Sequence, residues 1–231
     1  MNLAPFSLFL VIFSGICWTL VYLDSIRLGF KYLTYAMPFW ALALNFAWEL
    51  LQTVLEYQQA GFVLQVGITA VWFLLDCVIL YTYFRFGKKY FPRNLPAHWF
   101  IIWSLLGLFT AFFLQYFFII EFGLYVGRAY AAFLQNLLMS LLFIGMLVNR
   151  GSREGQSLAI AINKWLGTLA PTILFGVVGA QGMKGTNSLL LVTGIFCSLF
   201  DLIYIGMLLR TKEVEKQGRV NQRINWSGFR F

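Results

Sequence analysis

Seven runs of about twenty mostly apolar residues follow one another along the chain, at 4–22, 36–56, 62–84, 98–119, 125–148, 158–180 and 188–209. About 20 such residues carry an α-helix across the hydrocarbon core of a bilayer. In lipid a single segment satisfies its own backbone only as a helix. The runs leave short loops and a polar tail, so no separate extramembrane domain fits. The expected architecture is therefore all-α: a polytopic membrane protein with a seven-transmembrane-helix bundle over 1–209 and a basic tail over 210–231.

Composition excludes the main alternatives. Charged residues make up 11% of the chain, against about 25% in soluble domains. A hydrophobic share of 60% also excludes disorder. The net charge of +8 does not indicate a nucleic-acid binder, because long apolar runs separate the basic residues and no basic face forms on a soluble fold. No Lys or Arg precedes Asp24, so the first run lacks the basic region of a signal peptide and is expected to be a retained helix. Cys17, Cys77 and Cys197 lie inside runs without a CxxC or Cys/His cluster, which reads as packing and not as a disulfide framework or zinc site.

The loops divide by charge. Arg27, Lys31, Arg85, Lys88, Lys89, Arg93, Arg150, Arg153 and six tail residues (Arg210, Lys212, Lys216, Arg219, Arg223, Arg230) fall on one side, while Arg128 and Lys184 fall on the other. The positive-inside rule then puts the N-terminus outside and the tail in the cytosol. On that topology the sequon at Asn225-Trp226-Ser227 stays unglycosylated. No internal repeat is visible between spans 1–3 and 5–7.

Three acids, Glu49, Asp76 and Asp201, sit well inside spans. A charge there costs several kcal/mol, so such residues face the bundle interior, pair, or do chemistry. Asp24, Glu56 and Glu121 lie near span ends, within reach of water. Helical spacing puts Asn45, Trp48, Glu49 and Gln52 on one face. Asp201 shares a stripe with Cys197 and Tyr204, and Asp76 follows Trp72 by four. Span 5 adds Tyr130, Gln135, Asn136 and Ser140, a polar stripe that reads first as helix-packing glue. Counted from the outer side, Glu49 lies roughly 10 Å deep and Asp201 roughly 20 Å deep, so they can flank one pocket if spans 2 and 7 touch. Lys164 can pair with Asp76 or snorkel to the interface.

Burial favours the protonated form of a carboxyl, and a protonated acid at neutral pH is a ready general acid. Aromatic faces stabilise a passing cation. Together they suit protonation of an alkene or epoxide followed by carbocation cyclisation, although proton-coupled transport would use the same acids. A retinal photoreceptor is disfavoured, because span 7 has no lysine for a Schiff base.

The chain resembles the paxilline- and pyripyropene-type integral-membrane terpene cyclases. The resemblance rests on its length, its seven spans, Asn45 to Glu49, Trp72 with Asp76, Tyr130 with Asn136-Leu-Leu-Met-Ser140, and Asp201. It implies that Glu49 and Asp201 are the essential catalytic acids, and that Asn45, Trp48, Trp72, Asp76, Tyr130, Asn136 and Tyr204 form the substrate pocket. It implies a lipophilic substrate bearing a farnesyl or geranylgeranyl chain on a polyketide or indole, with bacterial relatives acting on prenylated indoles. It further implies partnership with a prenyltransferase or epoxidase, in a bacterial cell membrane or the endoplasmic reticulum. Neither the metal-binding DDxxD motif nor the DxDD motif of soluble cyclases is present, so no metal or other cofactor is expected.

Overall fold

The computed structural model describes residues 5–180 and 185–227, with side chains up to residue 212. Lys184, counted above on the outer side, lies outside the described residues. Every regular element among them is helical: α1 (Pro5–Tyr32), α2 (Phe39–Ala60), α3 (Leu64–Phe86), α4 (His98–Phe122), α5 (Leu124–Arg150), α6 (Leu158–Ile173) and α7 (Ser188–Ser227). A 3₁₀ turn, Gly87–Tyr90, prolongs α3, and a π-turn, Leu174–Val178, prolongs α6.

Six of the seven helices are long and apolar enough to cross a membrane. The other, α2, has 22 residues and so is about 33 Å long, but Asn45, Glu49, Gln52 and Glu56 lower its apolarity. All four side chains are buried. Their burial follows from position, since α2 packs against α3, α4 and α5. The outer faces of α1, α4 and α7 instead expose large apolar side chains such as Phe9, Trp103, Phe109, Phe113 and Ile195. An apolar belt of that extent is a lipid-facing surface.

Two helices run longer than their apolar runs. The first run ends at Tyr22, but α1 continues to Tyr32, because Asp24 and Arg27 pair with each other (2.7 Å, Nε to Oδ1) on the helix surface and need not break it. Likewise α7 passes without a break from its apolar part into the basic segment after residue 209.

The corner between α4 and α5 is the tightest in the chain. Gly123 alone separates them, at φ 76°, a left-handed conformation that glycine adopts without steric cost. One turn into α5, a Cβ built on Gly127 would collide with the backbone carbonyl of Phe118 on α4. Small residues at such contacts let helix backbones approach. Gly127→Val is therefore expected to destabilise the bundle by about 1–3 kcal/mol, read as a lower unfolding midpoint in detergent, because backbone cannot yield as a side chain can.

Apart from Arg128 and the buried Lys164, the basic residues whose side chains are described gather at one end. Arg150 donates to the carbonyl of Tyr35 (3.1 Å) and lies over the rings of Tyr35 and Tyr90, 4.4 and 4.2 Å from their centroids. Lys89 pairs with Glu154 at 2.7 Å. Some burial acts to raise the Glu154 carboxyl, but hydrogen bonds from Lys89 and Tyr90 outweigh it and hold the group below the usual range. At the opposite end, Arg128 and Glu56 pair at 2.6 Å with both side chains only 6% exposed. Glu56 was expected near a span end in reach of water; packing of α5 on α2 buries it together with Arg128.

Candidate active site

A cavity of about 150 Å³ opens between α1, α2, α3, α5 and α6, towards the end opposite the basic cluster. Its wall is mostly aromatic and aliphatic. Trp18, Tyr22, Trp48, Trp72, Phe133 and Phe175 line it, and the rings of Tyr22 and Trp72 stack at 6.0 Å. The indole N–H groups are tied down: Trp72 donates to Thr19 Oγ1 and Trp48 to the carbonyl of Arg128, both at 3.1 Å. Such anchoring fixes the ring faces that a bound molecule would meet.

Pro171 shapes the far wall. A proline cannot donate to the carbonyl four residues back, here that of Gly167. Ser14 of α1 donates to this carbonyl at 2.7 Å, and both Ser14 and Pro171 line the cavity. The π-turn that follows carries Phe175 into the lining.

The polar side of the cavity is a single hydrogen-bonded network. The Asn45 amide donates to Glu49 Oε1 and to Asp76 Oδ2, each at 2.9 Å, and to the Tyr22 hydroxyl at 2.5 Å. Tyr22 in turn donates to Glu49 Oε1. The Asn45 carbonyl oxygen accepts from Gln135 Nε2 at 3.1 Å, and Gln135 is held from α4 by Gln115 Nε2 at 2.6 Å. Four helices thus meet at Asn45, and α4 joins through Gln115 and Gln135. The Glu49 and Asp76 carboxyls thus share one amide donor, and one oxygen of each, Glu49 Oε2 and Asp76 Oδ1, is buried without a partner. Two buried carboxyls bridged by one amide, with two oxygens unsatisfied, form an arrangement suited to hold a proton.

Of the residues singled out in the sequence, Asn45, Trp48, Glu49, Trp72 and Asn136 line the cavity. Asp76 stands just behind, bonded to Asn45. Tyr130, Asp201 and Tyr204 are not in the lining. The Tyr130 hydroxyl accepts from Asn187 at 3.1 Å, and the Tyr204 hydroxyl donates to Gln156 at 2.8 Å, at the basic end. The condition for Glu49 and Asp201 to flank one pocket was contact between spans 2 and 7. Instead α5 stands between them, packing on both α2 and α7.

Asp201 takes part in a second buried cluster. Its Oδ1 accepts from Lys164 Nζ at 2.5 Å, with the two side chains 1% and 0% exposed. Lys164 thus neither pairs with Asp76 nor snorkels, because α6 packs against α7 and buries the whole side chain. Its ammonium also donates to Ser140 Oγ at 2.7 Å, and Ser140 donates to the carbonyl of Asn136 at 2.9 Å. One helical turn thus links this ion pair to a cavity-lining residue.

Sequence reasoning passed over Tyr22 and Gln115 and treated Gln135 as packing glue. A signal for Tyr22 was present: Ser14, Trp18 and Tyr22 recur every four residues, and all three line the cavity.

An all-helical membrane bundle holding two buried acids against an aromatic cavity defines a class, that of integral-membrane proteins handling apolar molecules. Comparison with known proteins narrows it: the family model for Pyr4-like transmembrane terpene cyclases matches residues 1–213. The chain belongs to that family. It is 30% identical over 173 residues to the Pyr4-family terpene cyclase mfmH of Annulohypoxylon moriforme, covering 72% of this chain and 68% of that protein. Identity to terpene cyclase adrI of Penicillium rubens is 31% over 189 residues, covering 78% and 73%. Terpene cyclase pyr4 of Aspergillus fumigatus is 26% identical over 212 residues, covering 89% and 86%. No solved structure matches the chain.

Proposed function

We propose that this cyclase protonates the terminal epoxide or alkene of a prenylated, meroterpenoid-type substrate and drives its carbocation cyclisation without a metal. The observation that carries this reading is Glu49: a buried acid, backed by a second acid, at the wall of an aromatic cavity. Glu49 is the proton donor, with Asp76 sharing its proton and Tyr22 and Asn45 setting its orientation. With an epoxide, the proton goes to the ring oxygen as a C–O bond breaks. A neighbouring alkene supplies the electron pair that closes the first carbon ring. Further alkenes follow, and loss of a proton from the last cation returns the proton first spent, so the reaction is a net isomerisation. Trp18, Trp48 and Trp72 face the developing cations with their ring quadrupoles.

Asp201, which the family resemblance marks as the second essential acid, acts here as a positioning residue. Held by Lys164, it fixes Ser140 and with it the Asn136 turn of α5. The substrate is a farnesyl or geranylgeranyl chain on an aromatic or polyketide head, delivered by a prenyltransferase and, where an epoxide is used, an epoxidase. All seven helices cross the membrane, with the N-terminus outside, residues 1–209 as the catalytic bundle and the basic tail in the cytosol. The relatives reported above are cyclases by name, which favours the enzyme over a proton-coupled carrier.

Membranes containing the full-length chain, supplied with a farnesylated or geranylgeranylated aromatic acceptor and with its terminal epoxide, are expected to give a product of unchanged mass and fewer double bonds. Recovery of both acceptors unaltered, with folded protein present in the membranes, would overturn the reading.

A further inference from the structure

A second concavity, distinct from the aromatic cavity, carries a concentrated charge. It lies at the basic end, encloses about 590 Å³, and is walled by the end of α1, the loop between α5 and α6, and α7. Among the described residues, Arg27, Lys31, Arg153 and Lys212 line it together with one acid, Glu154, which is engaged by Lys89; Arg153 is also engaged. Arg27 is held by Asp24. Among the described residues, no carboxylate pairs with Lys31 or Lys212. Gln156 adds an amide donor: it is 5% exposed, its Oε1 accepts from Tyr204, and its Nε2 has no partner. A concave surface with surplus positive charge and an unsatisfied buried N–H group is built for an anion.

Its depth favours one source of that anion. With 28 residues α1 is about 42 Å long, some 12 Å more than the hydrocarbon core. The charges of its last three turns, at Asp24, Arg27 and Lys31, place this excess at the basic end, at headgroup level. Tyr32, Leu28 and Leu158 add an apolar and aromatic rim of the kind found at a membrane interface.

We propose that this basic cavity binds a phosphate-bearing anion, the headgroup of an anionic phospholipid being the source its depth favours. Lys31 and Lys212 supply the attraction and Gln156 Nε2 a directed hydrogen bond. The proposal is independent of the chemistry in the aromatic cavity and of any activity measurement.

Its test uses the full-length protein in detergent, with native mass spectrometry of added phosphatidylglycerol or phosphatidylcholine, and thermal unfolding with added inorganic phosphate. Wild-type protein is expected to retain phosphatidylglycerol over phosphatidylcholine. A Lys31→Gln/Lys212→Gln variant should lose about thirtyfold in that preference, as each lysine near a membrane surface contributes about fivefold. Both lysines are surface residues, so the variant should elute and melt as wild type without lipid. Gln156→Glu, which puts a negative charge in the cavity, should lower the preference in the same direction. Stabilisation by inorganic phosphate that the double variant loses, without lipid preference, would support the anion site and overturn the lipid source. Lipid and phosphate binding unchanged by either variant would overturn the site.

Discussion

Glu49→Gln is expected to lower turnover by about 10²- to 10⁴-fold, the range a positioned general acid contributes, while leaving the protein folded. The amide is nearly isosteric and still accepts from Asn45 and Tyr22 through its carbonyl oxygen. What it lacks is a proton acidic enough to open an epoxide or protonate an alkene. The loss should fall on kcat with little change in KM, because the aromatic wall that holds the substrate is untouched. Asp76→Asn should fall between Glu49→Gln and wild type, since Asp76 tunes the proton and does not itself line the cavity. Product formation with the prenylated acceptor checks both. Equal turnover in Glu49→Gln and wild type would remove Glu49 from the chemistry.

The second large effect concerns stability. Lys164→Met leaves the Asp201 carboxylate buried opposite a thioether, with Oδ2 already lacking a partner. Removing one member of a buried ion pair costs about 3–5 kcal/mol, because the other charge stays desolvated and uncompensated. The variant should therefore unfold at markedly lower temperature in detergent. The double variant Lys164→Met/Asp201→Leu should recover most of that loss, since apolar replacement of a whole buried pair is often neutral or stabilising. Activity separates the roles. If Asp201 only positions α5, the double variant keeps measurable turnover; if it takes part in proton transfer, the restored fold stays inactive.

Much of the bundle was legible because lipid imposes a one-dimensional rule. A run long enough to span must be helical, so all seven predicted runs reappear as helices, five with ends shifted by a few residues and α1 and α7 mainly longer. The α2 face was legible too. Asn45, Trp48 and Glu49 are neighbours at helical spacing, and the cost of polar groups in hydrocarbon turns that face inward whatever surrounds it. Asp201 obeyed the same rule, but the rule does not name a partner. Lys164 is 37 residues away in sequence, and nothing local distinguishes it from a lysine that snorkels. Tyr22 was hidden for a related reason: charged Asp24 suggested the end of a span, while the helix continues for ten residues beyond Tyr22.

The sequence by itself determined that this chain is a helical membrane protein, that most of its loop basic residues belong to one end, and which acids must turn inward. Composition and period settle those points, because water, lipid and helix geometry act on each segment alone. Only the tertiary structure decided which acid meets the aromatic cavity. The choice depends on α5 standing between α2 and α7 and on Asn45 bonding to side chains of α1, α3 and α5 as well as of its own helix. It depends equally on Lys164 facing Asp201 and not Asp76. These are contacts between segments far apart in the chain, and their energies exist only once the helices have packed.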